Sequence, residues 1–213
     1  MSGGKMMVEF QRRIGKENFS VKCAPQYRAQ VNWLFEILEN KINNEGCIDI
    51  DGPLDIGLTS VQFKKSKNNV KILEHYPSLE TSNEMRDDLT RTLSIIQEQK
   101  AFLKELGIDE SPIRLKTKIV FDKNCLEEKK IFLERIEVEE RNYSGWFIGT
   151  LDTKNKPEDR ESNYQTITVS QLLENRPALV RVLGLPPGYM AIFDGHKVTA
   201  VINTFGENLL SPG

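Results

Sequence analysis

Arg141-Asn142-Tyr143-Ser144-Gly145-Trp146-Phe147-Ile148-Gly149-Thr150-Leu151-Asp152 is the stretch on which the reading of the fold turns. A Ser-Gly pair runs directly into an aromatic and β-branched series, the pattern of a turn feeding a buried strand. Gly145 permits a backbone conformation that a Cβ would oppose, and Trp146 brings a large apolar face. Strand-like segments precede the stretch and an α/β unit follows it. The chain therefore reads as α+β, with mainly antiparallel sheets, amphipathic helices packed on one face, and two halves of similar size.

Size and composition narrow the class. The chain has 213 residues, 38% hydrophobic and 28% charged, which is enough apolar material for a real core. A formal net charge of −2 gives no basic footprint for nucleic acid. No apolar run approaches the roughly 18 residues of a membrane span, and the first residues carry no apolar signal-peptide core. Cys23, Cys47 and Cys125 are odd in number and far apart, as expected of reduced thiols in a cytoplasmic protein.

In the first half, short extended segments at 8–10 and 19–23 precede a helix over residues 25–44. Tyr27, Val31, Phe35, Leu38 and Ile42 stripe one face of it, and Gly46 follows its end. From Cys47 to Tyr76 the period changes to two, predicting an antiparallel meander. The parity switch between Leu58 and Val61 predicts a bulge near Thr59. Thr81 and Glu84 fit a capping box opening a long helix over 82–106, closed by Gly107.

The second half opens with alternation from Ile113 to Phe121, then from Ile131 to Val138, then the strand at 145–151. Residues 153–163 are charged and almost free of apolar side chains, predicting a mobile surface loop. Thr168 or Ser170 can cap the next helix, Pro177 opens a further short one, and Asp194-Gly195 marks a hairpin. The domain reading is a flexible start at 1–6, an α+β half at 7–110 and a second at 111–213.

No chemical motif stands out. The chain has neither a P-loop nor Gly-x-Gly-x-x-Gly, no Cys-x-x-Cys, no paired histidines and no Gly-x-Ser-x-Gly. Asp49, Asp51 and Asp55 imitate a calcium loop, but its closing position is Ser60 instead of glutamate. No cofactor, metal or catalytic residue is expected.

The motifs Ile95-Ile96-Gln97-Glu98-Gln99-Lys100, Ser144-Gly145-Trp146-Phe147-Ile148-Gly149, Arg176-Pro177-Ala178-Leu179 and Leu185-Pro186-Pro187-Gly188-Tyr189 together carry a resemblance. The latter half resembles the thirty-third family of bacterial polymorphic-toxin immunity proteins. The resemblance implies a cytoplasmic protein that binds and neutralises a cognate secreted toxin, in bacterial competition, and has no catalytic residues. The expected partner is then a protein toxin, with neither nucleic acid nor membrane. The alternative is a small intracellular hydrolase with a non-motif active site.

Candidate contacts are acidic groups on the predicted 82–106 helix (Asp87, Asp88, Glu98) and in the 152–163 segment (Asp152, Glu158, Asp159). Tyr189 of the proline turn and Trp146 complete the set. Trp146 reads first as a core anchor and second as an interface residue, because Phe147 and Ile148 already mark a buried strand.

Overall fold

A computed structural model describes residues 6–67, 69–77, 83–111, 113–123, 125–151 and 163–210. The expected flexible start and the 153–163 loop fall almost wholly outside them. The chain forms two compact units, Met1–Gln97 and Glu98–Gly213. Each has its own six-stranded, mixed and mostly antiparallel sheet, so the α+β class holds.

In the first unit, β1 (Val8–Ile14) and β2 (Glu17–Cys23) form a hairpin. A 3-10 turn at Pro25–Tyr27 leads into α1 (Arg28–Glu45). Gly46 ends that helix at φ +79°, its N–H returning to the Ile42 carbonyl at 2.8 Å. β3 (Leu54–Ile56), β4 (Thr59–Ser66) and β5 (Asn69–Pro77) make the expected meander. β6 (Asn83–Arg86) then pairs with the far end of β5. The α1 residues Val31, Leu34, Phe35 and Leu38 share a core with alternate residues of the sheet and with Leu89, Leu93 and Ile96 of the next helical segment.

Three expectations are corrected here. The parity switch at Thr59 is no bulge: Ile56 pairs with Thr59, so Gly57-Leu58 is a two-residue hairpin turn, with Gly57 at φ +63°. Such a turn reverses the chain and reads in sequence as an extra residue. The sheet is not purely a meander, because Phe19 of β2 pairs with Val70 of β5 in parallel. The second helix, α2, spans Thr90–Leu106 and not 82–106. Glu84 lies in β6, paired with Tyr76, and Thr81 is outside the described residues. Asp88 instead serves the helix start, its carboxylate accepting from the Thr90 N–H at 2.8 Å. Gly107 closes α2 as expected, at φ +67°. The division between the units falls inside this helix.

The second unit contains β7 (Lys118–Asp122), β8 (Lys130–Arg135), β9 (Tyr143–Thr150), β10 (Tyr164–Thr168), β11 (Met190–Asp194) and β12 (Lys197–Ile202). Their order in the sheet is β10-β7-β9-β8-β11-β12, and only β7 and β9 run parallel. α3 (Val169–Asn175) starts at the anticipated Thr168, which forms a capping box with Gln171. Pro177 opens a 3-10 helix, Pro177–Val182. Asp194 pairs with Lys197 across the expected hairpin. The alternating Ile113–Thr117 segment is not strand, and neither are Ile136 and Val138, which are 55% and 43% exposed. No helix among the described residues is long and apolar enough to cross a membrane.

Candidate functional site

The Ser-Gly-Trp motif lies within β9, as a bulge. Lys118 pairs with Tyr143 and Val120 with Phe147, so β9 takes four steps where β7 takes two. Each residue of the motif has a part in closing it. Ser144 Oγ donates to the Lys118 carbonyl at 2.9 Å and accepts the Trp146 N–H at 3.2 Å. Gly145 takes φ +80°, and its carbonyl accepts the Ile136 N–H at 2.9 Å. Trp146 is turned into the core at 1% exposure, its indole N–H donating to the Leu183 carbonyl at 3.1 Å.

The bulge frames a buried cation. Arg135, at the end of β8, is 7% exposed. Its Nε donates to the Ser144 carbonyl at 3.3 Å, and its Nη1 to the carbonyls of Ser111 and Leu185 at 2.8 and 2.6 Å. Burial lowers its pKa, yet a guanidinium stays charged, so carbonyl dipoles supply the compensation. Among the described residues no carboxylate forms an ion pair with it. The backbone of Arg135 completes the clamp: its N–H donates to Tyr189 at 2.9 Å, and its carbonyl accepts from Gly188 at 2.6 Å. The proline turn is thus fastened to β8 by main chain and side chain together. Arg176 of the Arg-Pro-Ala-Leu motif works similarly, donating to the carbonyls of Leu126, Glu128 and Gly195.

Arg176 holds one end of the second sheet, beside Gly195, and the Arg135 clamp shapes the opposite end. A cleft of about 720 Å³ opens there, lined by Ile113, Arg135, Ile136, Val138, Tyr143 and Pro187. Glu137, Glu139 and Glu140 line it too, balanced by Arg114, Arg135 and Arg141. Exposed aliphatic side chains ringed by charges of both signs suit a polypeptide contact. No group of three His, Cys, Asp or Glu side chains able to hold a metal ion stands together among the described residues.

The predicted contact residues are differently placed. Asp87 and Asp88 precede α2 in the first unit. Asp87 is paired with Lys71 at 2.9 Å and Lys22 at 3.2 Å. Burial opposes its charge, but the two lysines outweigh that and hold its carboxyl below the usual range. Glu98 is exposed on α2, at the start of the second unit. Tyr189 is half-buried beside the cleft turn, and Trp146 is core. Asp152, Glu158 and Asp159 lie outside the described residues. Arg135, Ile136 and Val138 join the site without being marked by any motif. Arg135 carries no local signal, since its partners are 9 to 50 residues away. Ile136 and Val138 continue an apolar alternation and so read in sequence as strand residues.

No curated protein and no solved structure matches the chain. One family model does, that of the Imm33-like domain, over residues 98–204. This span takes in all six strands of the second sheet, the bulge, both arginine clamps and the proline turn. It is half of the 213 residues, and the chain belongs to the Imm33-like family.

Proposed function

We propose that this chain is an immunity protein that binds a cognate protein toxin stoichiometrically, in the cytoplasm of the producing cell, and catalyses no reaction. One observation carries the reading: the Imm33-like match begins where the second unit begins and takes in its whole sheet and both clamps. The unit's cleft end is the contact surface in this reading. It offers the exposed aliphatic groups of Ile136 and Val138, with the Ile136 main chain bonded to the Gly145 carbonyl of the bulge.

The test is co-expression with the product of the adjacent reading frame. Rescue of growth, together with a one-to-one complex on size exclusion, supports immunity. Binding without rescue, or neither, counts against it. A salt series then separates two forms of the contact. If Glu98 and the Glu137–Glu140 carboxylates steer a basic partner, association slows as salt rises while dissociation changes little. An on-rate that ignores salt assigns the contact to the apolar cleft.

A further inference from the structure

We propose that Phe205 is a pre-formed anchor that enters an apolar pocket on the toxin, a pocket with a basic side chain at its mouth. The proposal rests on the immunity reading. Phe205 is 86% exposed, more than any other large apolar side chain among the described residues. It stands at the tip of a closed loop. Asn203 Oδ1 accepts the N–H groups of Phe205 and Glu207, both at 2.9 Å, and its Nδ2 donates to Glu207 Oε2 at 2.9 Å. The Asn203 N–H donates to the Glu207 carbonyl and Gly206 N–H to the Asn203 carbonyl, each at 3.0 Å, with Gly206 at φ +80°. Below the loop, Asn208 Oδ1 accepts from Val201 at 3.1 Å and from Leu210 at 3.2 Å.

Each of these bonds is made by main chain or by an asparagine side chain. The ring adds none of them, so the loop closes without it. The main chain that carries the ring has already lost the freedom that binding would otherwise cost it. Buried aromatic anchors of this kind carry most of the energy of an interface. Asn203 also fixes the Glu207 carboxylate within two residues of the ring, which calls for a cation at the rim of the receiving pocket.

The position agrees. A Cβ on Gly188 would come within 2.6 Å of Thr204 Cγ2, so Thr204 packs on the turn whose Pro187 lines the cleft. Anchor and cleft therefore share one end of the second sheet.

The experiment measures affinity for the purified product of the adjacent reading frame, using the full chain and Phe205→Ala. The variant should melt at the unchanged temperature and bind roughly ten- to a hundredfold more weakly. Glu207→Lys, with the ring intact, should also weaken binding. Equal affinity of Phe205→Ala and the parent would overturn the anchor and leave immunity standing. Failure of the parent itself to bind would overturn the immunity reading and the anchor with it. A free chain that is dimeric, and becomes monomeric on Phe205→Ala, would also overturn the proposal, since the ring would then belong to a second copy.

Discussion

A Cβ built on Gly145 would stand 2.2 Å from the carbonyl oxygen of Ile136. Backbone makes this clash, so no side-chain rotation relieves it, and φ +80° is itself unfavourable for any residue with a Cβ. Gly145→Ala should therefore cost about 3–5 kcal/mol. Urea denaturation of the two proteins checks this. A loss under about 1 kcal/mol would mean that the bulge relaxes freely.

Trp146 is the second test of the same bulge. Trp146→Ala should cost about 3–5 kcal/mol, as aromatic truncations in cores do. Trp146→Phe keeps most of the apolar volume but leaves the Leu183 carbonyl without its donor, and should cost about 1–3 kcal/mol. Equal melts for Phe and parent would show that the indole hydrogen bond contributes nothing.

Glu74 gives a pH signature. It pairs with Val61 across β4 and β5, and so faces the core of the first unit. Burial raises its pKa above the ordinary 4.5, against the opposing effects of the Thr92 hydroxyl, 2.8 Å away, and of Arg91. The folded state thus holds the proton more tightly than the unfolded chain. The resulting stability is complete below the unfolded pKa and is lost as pH rises through the folded one. Glu74→Gln keeps an acceptor for Thr92 and removes this loss. The variant should match or exceed the parent at pH 7, with a flatter stability profile between pH 4 and pH 7. A parent more stable at pH 7 than the variant would contradict it.

The cysteines should differ sharply in reactivity. Cys23 and Cys125 are buried, and burial pushes their thiols up to about 11 and about 12 respectively. Cys47 is exposed. One equivalent of native thiol should therefore react rapidly with Ellman's reagent, forming a mixed disulfide and releasing one thionitrobenzoate, and Cys47→Ser should abolish the fast phase. Rapid labelling of Cys125 would mean that the 3-10 turn Cys125–Glu127 lifts readily off β9.

Local chemistry was legible in the chain alone. The helix striped by Val31, Phe35 and Leu38, the glycines that end α1 and α2, the Thr168 cap and the Asp194-Gly195 hairpin all depend on neighbours within a few residues. So did the motifs that pointed to the family. What the tertiary structure decided is non-local. The parallel pairings of β2 with β5 and of β7 with β9 join segments that share no turn. β10, at Tyr164–Thr168, became a strand only because β7 offered an edge. Asp87 reads as a free acid until folding brings Lys22 and Lys71 to it. Arg135 reads as one more surface charge until carbonyls from three distant segments close around it. Periodicity records which face of an element is apolar. It carries no record of which elements meet, and the cleft end of this protein is built wholly from such meetings.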